Sequence, residues 1–442
     1  MTSTAIAFSY RENLLERIGD ARARTDELFR IVRPEALYDR PIAERHRIIF
    51  YLGHLEAFDW NLLQGPLGLD SFHPEFDKLF AFGIDPLNGG LPQDQPKDWP
   101  SVQETRHYNA RMRETLDAAL SASLAEDSDL TRLERGRLLE TAIEHRLMHA
   151  ETLCYMLHQL PFERKFWRAD AAPPSNHPPK ARMVEIPAGT ATLGIPRVMG
   201  GPFGWDNEFE EHRVEVPAFA MDACNVTNGD YLKFIHEGGY RDPSLWTETG
   251  WNWISSEGRD SPAFWIRRGD SWNYRTMFEA IPLPLDWPVF VSHEEARAYA
   301  RWAGKDLPSE AEWHRAACGT RSELERAYPW GSQPPAPLHG NFDFYRWDAT
   351  PVGAFPGGLS EFGVADLVGN GWEWTRTIFS PFAGFEAAPF YPGYSANSFD
   401  GKHYVMKGGS PRTAACMLRR SFRNWFQTQY PYVYATFRGV KR

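Results

Sequence analysis

A proline-rich stretch divides this chain of 442 residues into two parts of different character. Residues 168–181 include the run ADAAPPSNHPP, whose prolines cannot donate the backbone hydrogen bonds of a helix interior or a central strand. Helical periodicity precedes this stretch, and short turn-rich runs follow it. We therefore predict two domains, residues 1–167 and 182–442, joined by a linker at 168–181.

The first part predicts four helices. Apolar residues recur with helical spacing in segments 11–32 and 42–63, the second with a proline at its start. Two further helices are predicted at 101–124 and 131–160, each beginning with a Ser/Thr-x-x-Glu capping box. Residues 68–100 are rich in proline and glycine and are expected to be irregular. The first domain is predicted to be an all-α four-helix bundle.

The second part predicts an irregular α+β domain. Short β-like runs, such as Met183–Ile186 and Arg213–Val216, lie among many glycines, prolines and tryptophans. Asn228–His236 and Ser292–Ala303 have the spacing of helices. No periodic internal repeat is visible, so a solenoid or a propeller is not supported.

Composition excludes several classes of protein. The 58 acidic and 48 basic residues give a net charge of −10, so a nucleic-acid partner held by a broad cationic surface is not expected. No apolar run reaches the roughly 18 residues of a transmembrane helix, and the N-terminal region lacks the apolar stretch of a secretory signal. The 4 cysteines form no CxxC pair. We expect a cytoplasmic protein without a membrane partner, and the sequence leaves its oligomeric state open.

Three histidines of the first domain form a candidate metal site. His145 and His149 lie four residues apart in the fourth predicted helix, so both imidazoles share one face. Taken alone, such a pair is more often structural or solvent-exposed than metal-binding. His54 lies among apolar residues of the second predicted helix, where an imidazole needs a polar partner, and it is the candidate third ligand. Three imidazoles without a thiolate suit Fe(II), Zn(II) or Cu(II).

Two further residues lie beside these ligands in the sequence. Glu151 is placed to orient a ligand ring through a hydrogen bond, or it is an exposed helix carboxylate. Met148 directly precedes His149 and is expected to lie beside the pocket. The other histidines of this part fit the site less well and are interpreted as surface or capping residues: His46, His73, His107 and His158.

At these residues the chain resembles the sulfoxide synthases of ergothioneine and ovothiol biosynthesis. The motifs that carry the resemblance are LGH ending at His54, the H-x3-H-x-E run 145–151, MVEIPAG at 183–189, VTN at 226–228, LPSEAEW at 307–313, GNGWEWT at 369–375 and KGGS at 407–410. In that family a DinB-like helical bundle with three iron-binding histidines is fused to a domain of the formylglycine-generating-enzyme type, which has a C-type-lectin-like fold. The resemblance implies Fe(II) on His54, His145 and His149, and it allows a structural Ca²⁺ in the second domain.

The resemblance also implies the reaction. In the family, Fe(II) and O2 couple carbon 2 of the hercynine imidazole to a sulfur or selenium donor, because the ion both orients the reactants and supplies the redox step. The family motif RNWD corresponds to residues 423–426 of this chain. Arg423, Asn424 and Trp425 are retained, which implies that hercynine binding is retained.

Departures from the family pattern concern the donor. The family's catalytic tyrosine, four positions after the WEWT threonine, is Phe379, which cannot donate a proton, so the catalytic residue is not identified. The aspartate that pairs with the amino group of γ-glutamylcysteine is Phe426, and the donor-binding arginines are absent from 86–96. The residue before the second helical ligand, often glutamine, is Met148. These losses favour a neutral selenosugar donor, as in selenoneine synthases, with Phe379, Phe426 and Met148 lining its pocket. The two phenylalanines equally fit hydrophobic packing.

Several alternatives stay open. An ergothioneine-type enzyme would couple hercynine to γ-glutamylcysteine or cysteine with an acid placed elsewhere. Formylglycine generation needs paired cysteines, but Cys416 is the only cysteine in the last 120 residues. A zinc hydrolase or thiol transferase would use the same histidines without needing the second domain. A noncatalytic binding module would use the fold of the second domain without needing the histidine triad, and thiol oxidation is a candidate side activity.

Overall fold

The computed structural model describes residues 3–83, 91–123, 129–170, 182–198, 200–322 and 324–442. The chain forms two compact units, Met1–Arg168 and Ala169–Arg442. Residues 171–181 of the predicted linker lie outside the described residues. Within the described residues, no helix is long and apolar enough to cross a membrane.

The first unit is helical. Its helices are α1 (Ser3–Ile31), α2 (Ile48–Leu63), α3 (Pro74–Phe82), α4 (Val102–Ser123) and α5 (Asp129–Gln159). Helix α2 packs against α3, α4 and α5, and α1 packs against α5. Apolar side chains of the long helices, such as Trp60, Leu116 and Leu153, are fully buried in this core. The four long helices confirm the predicted bundle.

The second helix begins later than the sequence predicted. Its first residue is Ile48, several residues after Pro41, and the segment between them is held by ion pairs in a non-helical conformation. Arg40 and Arg47 both bind the buried carboxylate of Asp94. Trp99 Nε1 donates a hydrogen bond of 2.7 Å to the same group. The prediction was wrong because these partners are distant in sequence and override local preference.

The proline- and glycine-rich stretch at 68–100 is not irregular throughout. Pro74 occupies the first turn of α3, where its missing N–H costs nothing, and His73 Nδ1 accepts a hydrogen bond from the Phe76 N–H. Phe80 of α3 is fully buried. It packs over Gly53 of α2 so closely that a Cβ atom on residue 53 would lie 2.4 Å from the Phe80 ring. Close packing on α2 therefore stabilises α3, a helix that the proline- and glycine-rich composition of this stretch did not predict.

The second unit combines short strands and helices, as predicted. The strands are β1 (Met183–Ile186), β2 (Gly189–Leu193), β3 (His212–Val216), β4 (Phe219–Asp222), β5 (Trp265–Arg268), β6 (Ser271–Arg275), β7 (Ala280–Pro282), β8 (Trp372–Ile378), β9 (His403–Lys407), β10 (Asn424–Gln427), β11 (Ala435–Thr436) and β12 (Val440–Lys441). They form sheets of order β1-β4-β12, β2-β3, β5-β6-β7 and β10-β9-β8-β11.

Helices pack against these sheets. They are α6 (Asn228–His236), α7 (Glu248–Glu257), α8 (His293–Trp302), α9 (Glu310–Cys318) and α10 (Gly393–Ala396). The predicted helices at 228–236 and 292–303 are confirmed by α6 and α8. Helices α7 and α9 were not predicted, although Thr247 and Ser309 cap their first turns through side-chain oxygens.

Paired charges lie inside the second unit. Arg438 and Glu373 are both fully buried and are joined by two hydrogen bonds of 2.5 and 2.8 Å. Trp313 Nε1 and Asn225 Nδ2 each donate a further bond of 2.9 Å to Glu373. Both carboxylate oxygens of this strand residue are therefore satisfied, as burial of a charge requires.

Candidate metal centre

The structure brings His54, His145 and His149 together inside the helical unit. One nitrogen from each ring can be chosen so that all three lie within 4.8 Å of one another. His54 comes from α2, and the other two lie one turn apart on α5. Among the described residues, this is the only group of three or more His, Cys, Asp or Glu side chains so placed. The i,i+4 spacing therefore does present a donor pair toward a third histidine.

The separation of the ring nitrogens fits one divalent metal ion. The His54 and His149 Nε2 atoms lie 3.2 Å apart. Two imidazole nitrogens, each about 2.1 Å from one ion and about 90–110° apart as seen from it, would be separated by about 3.0–3.4 Å. His54 and His149 thus fit one metal ion at their present separation, and His145 brings a third imidazole nitrogen within 4.8 Å of both.

A backbone carbonyl fixes the orientation of His54. Its Nδ1 lies 2.7 Å from the Phe80 carbonyl oxygen, which can only accept, so Nδ1 carries the proton. The lone pair of neutral His54 is then on Nε2, which faces His149. This is the outer hydrogen bond that metal-binding histidines usually make, and here α3 supplies it.

Burial keeps all three rings neutral. Burial lowers the pKa of His54 from 6.5 to about 4, although the hydrogen bond to Phe80 opposes this shift. Burial, together with the neighbouring ligand histidines, holds the pKa values of His145 and His149 well below the usual range. Neutral imidazole is the form that binds a metal ion. The site therefore presents nitrogen lone pairs rather than positive charges at neutral pH.

Aromatic side chains of α2 contact each ligand ring. Phe58 stacks on His145 with ring centroids 3.3 Å apart and an interplanar angle of 9°. Phe50 stacks on His54 at 4.7 Å and 25°, and Tyr51 lies 5.7 Å from His149. The sequence analysis missed these neighbours. The spacing of residues 50, 54 and 58, four apart on one helix, was the available signal.

A buried charge network fastens α5 to α2 beside the site. Arg146, fully buried, donates hydrogen bonds to Glu56, Asp59 and the Leu55 carbonyl at 2.6–2.9 Å. Arg113 of α4 binds Glu56 as well, at 2.6 Å. Because residue 146 adjoins a predicted ligand and residue 56 lies two positions from another, this network sets how the two ligand-bearing helices meet.

The other residues predicted near the ligands lie in the same unit. Glu151 is buried on α5, which excludes the exposed-carboxylate interpretation, and its orienting role stays a prediction. Met148 is half-buried beside His149. His46, which the sequence analysis set apart, lies near the site, with its ring 4.2 Å from that of Phe50.

The residues predicted to bind substrate in the second unit fall on two faces of one sheet. Phe379 is fully buried and stacks on Trp425 with ring centroids 4.1 Å apart at 6°. Arg423 lies on the same face, with its guanidinium 4.9 Å from the Phe379 ring centroid. The Arg423 Nε donates to Glu310 at 3.0 Å, so this buried cation already has a carboxylate partner.

Asn424 and Phe426 alternate with these residues along β10 and therefore face the opposite side. Phe426 pairs with Tyr404 of β9, which in turn pairs with Ile378 of β8. The Phe426 ring stacks on Tyr430 at 5.2 Å and 10°. The sequence analysis expected Phe379 and Phe426 to line one pocket. The strand geometry instead places them on opposite faces of the sheet, because side chains alternate along a strand.

Comparison with known proteins identifies the family. Residues 168–442 match the sulfatase-modifying factor enzyme 1-like domain, and residues 17–153 match the DinB superfamily. A hercynine oxygenase of Mycobacterium tuberculosis is 36% identical over 344 residues, which are 77% of this chain and 77% of that protein. A hercynine oxygenase of Mycolicibacterium thermoresistibile is 32% identical over 450 residues, covering 99% of this chain and 96% of its own. The chain belongs to the hercynine oxygenase family.

Membership in the hercynine oxygenase family confirms the predicted fold class, a DinB-like helical domain followed by an α+β domain of the sulfatase-modifying factor type. It also assigns the chain to a family of oxidative enzymes. Among solved structures, PvdO from Pseudomonas aeruginosa covers 60% of this chain and 99% of its own at 20% identity, with a TM-score of 0.39.

Proposed function

We propose that this enzyme couples carbon 2 of the hercynine imidazole to the selenium of a selenosugar, with Fe(II) as cofactor and O2 as oxidant, in the formation of selenoneine. The observation that carries the proposal is a cluster of three neutral, convergent imidazoles in a hercynine oxygenase family member whose tyrosine position is a buried phenylalanine, Phe379. The first part of this observation supports the iron chemistry, and the second supports the choice of donor.

His54, His145 and His149 are the proposed iron ligands. Three protein ligands leave coordination positions for reactants, and bound iron would supply the redox chemistry that O2-dependent coupling requires. The donor set also suits Zn(II) or Cu(II), but the family of oxidative enzymes favours a redox-active ion over zinc. The three histidines would offer neutral nitrogens to the ion, and the Phe80 carbonyl orients the ring of His54. Burial keeps the rings in this neutral form.

The surroundings of Phe379 favour a neutral donor. Its ring is covered by Trp425 on one side and lies 4.9 Å from the ring of Phe399. The phenylalanine itself offers a donor neither a proton nor a charge, and the nearby Arg423 cation is already paired with Glu310. Phe426 likewise replaces the carboxylate that the resemblance assigns to binding an amino group. A selenosugar requires neither group, and selenium is more easily oxidised than sulfur, so it needs less acid assistance.

The names of the relatives favour a second candidate. Hercynine oxygenases cover most of this chain at 32% and 36% identity, and this supports coupling of hercynine to γ-glutamylcysteine or cysteine as a sulfoxide. In either case we propose that hercynine binds at strand β10 through Asn424 and Trp425, whose side chains lie on opposite faces of the sheet.

A paired aerobic assay separates the two candidates. Fe(II)-loaded protein receives hercynine with a selenosugar in one reaction, and with γ-glutamylcysteine or cysteine in the other, and the products are read by mass spectrometry. Selenium coupled to hercynine in the first reaction alone supports the proposal. A hercynyl sulfoxide in the second alone would establish the alternative and overturn the selenium donor.

The variant Phe379→Tyr tests the role assigned to this position. A phenol supplies the missing acid, and since general acid catalysis contributes about 10²–10⁴-fold, we expect the thiol reaction to rise by at least about 10-fold. Phe385→Tyr, the same change on another ring that contacts Phe399, is the control and should leave the products unchanged. An equal effect of both variants, or no effect of either, would contradict a donor-selecting role for Phe379.

A further inference from the structure

Three aromatic residues of α2 each face a different ligand histidine. Phe50 faces His54 of its own helix. Tyr51 faces His149 and Phe58 faces His145, both on α5. Of these contacts, the stack of Phe58 on His145 is the tightest, at 3.3 Å and 9°. Residues 50, 54 and 58 are spaced by about one helical turn and therefore lie on one face of α2. On this face the proposed ligand His54 lies between Phe50 and Phe58.

We propose that Phe58 is a positioning residue of the metal centre, which holds the His145 ring in its metal-binding orientation by stacking on its face. Phe50 does the same for His54 in a looser contact. This inference rests on the proposed metal role of the three histidines and adds to it the means by which their ring planes are held.

Ring orientation needs such support at this site. The torsion that turns an imidazole about its Cβ–Cγ bond has a broad preference, so the side chain alone does not fix the plane in which the ring lies. Metal-binding histidines are usually fixed by a hydrogen bond from their other nitrogen. His54 has that bond, to Phe80.

For His145, the stacked ring of Phe58 constrains the plane of the imidazole. A parallel aromatic neighbour at van der Waals distance blocks rotation of the imidazole out of its plane, and aromatic pairs contribute beyond the area they bury. Ordinary core filling does not account for Phe58, because its side chain is only half-buried, unlike the fully buried Trp60 of the same helix. Its closest ring neighbour is instead the imidazole of a proposed ligand.

The test measures metal affinity directly. The full-length apo protein is titrated anaerobically with Co(II), and affinity is obtained by competition with a chelator while visible absorption reports the coordination environment. Loss of a group that orients a ligand typically weakens metal binding by about 10–100-fold, and we expect about 10-fold for Phe58→Leu. Phe58→Tyr keeps the aromatic face and should retain the affinity and spectrum of the parent protein.

Phe72→Leu is the matched control. Phe72 is also half-buried in the helical unit, but its ring contacts are with Trp60 and Tyr108 rather than with a ligand. It should lose thermal stability without loss of Co(II) affinity. If Phe58→Leu does not fold, Phe58→Met fills the same space with a flexible, non-aromatic side chain and serves in its place.

The outcomes separate this inference from the proposed function. Failure of the parent protein to bind Co(II) would remove the metal centre itself, and the positioning role with it. Binding by the parent protein with equal affinity in Phe58→Leu would overturn the positioning role alone. Weaker binding in Phe58→Leu and Phe72→Leu alike would reduce the effect to general packing, and this also overturns it.

Discussion

The two units of this enzyme bury polar side chains in different ways. In the second unit, Arg438 is neutralised by Glu373 at 2.5 Å, so that charge is satisfied within the protein. In the first unit, three imidazoles converge in a neutral form, with two Nε2 atoms facing each other at 3.2 Å. Paired ions satisfy each other within the chain, whereas the neutral imidazole nitrogens converge on a point that could hold an added cation. Burial alone therefore does not distinguish a structural polar group from a functional one. The chemistry of the group that faces it does.

Breaking the buried ion pair tests the scaffold side of this comparison. Arg438→Met leaves the Glu373 carboxylate buried without its cation, and removal of one partner from such a pair typically costs about 3–5 kcal/mol. Chemical denaturation followed by tryptophan fluorescence measures this, since 14 of the 17 tryptophans lie in the second unit. Arg267→Met, at an exposed ion pair with Asp260, is the control and should cost less than about 1 kcal/mol. Equal costs would mean that burial does not govern the strength of this pair.

Removing one of the proposed metal ligands tests the histidine cluster of the first unit. His149→Ala leaves two imidazoles, and we expect metal affinity to fall by more than about 100-fold, beyond the loss seen when only an orienting group is removed. Metal content after gel filtration, measured by elemental analysis, reports the result. His107→Ala, at an exposed position on α4, should retain the metal. Undiminished metal in His149→Ala would remove the proposed centre.

Asp366, a buried carboxylate of the second unit, has among the described residues no cation partner like that of Glu373, and it makes the stability of this unit depend on pH. Burial raises the pKa of Asp366 from 3.8 to about 6, outweighing a hydrogen bond from the Gly353 N–H. The folded state therefore retains a proton that the unfolded state releases, and stability is lost as the pH rises from about 4 through 6. Asp366→Asn removes this cost, and the φ of +54° at this position suits asparagine.

We expect Asp366→Asn to raise the free energy of unfolding by about 3 kcal/mol at pH 7.5, and by much less at pH 4. Denaturant titrations at both pH values provide the measurement. Asp270→Asn, in an exposed turn, should show no such difference. A gain that did not change with pH would indicate a conformational effect at residue 366 rather than removal of a buried charge.

Much of the fold could be predicted from sequence because its signals are local. Helical spacing located the long helices, and the i,i+4 pair with His54 located the cluster. Features that depend on distant contacts could not be predicted. The start of α2 depends on Asp94, almost fifty residues later, and α3 is stabilised by packing of Phe80 over Gly53. Phe379 and Phe426 were assigned to one pocket because spacing along the chain does not show which face of a sheet a residue occupies.

The close approach of α3 to α2 has a consequence for interpreting natural variation in this enzyme. Residue 53 has no side chain and no chemistry, yet a methyl group there would meet the fully buried Phe80 ring at 2.4 Å. Displacement of Phe80 would move the carbonyl that holds the proton of His54. A survey of inactivating mutations would therefore place a glycine beside the proposed metal centre, although residue 53 has no side chain that could bind a ligand.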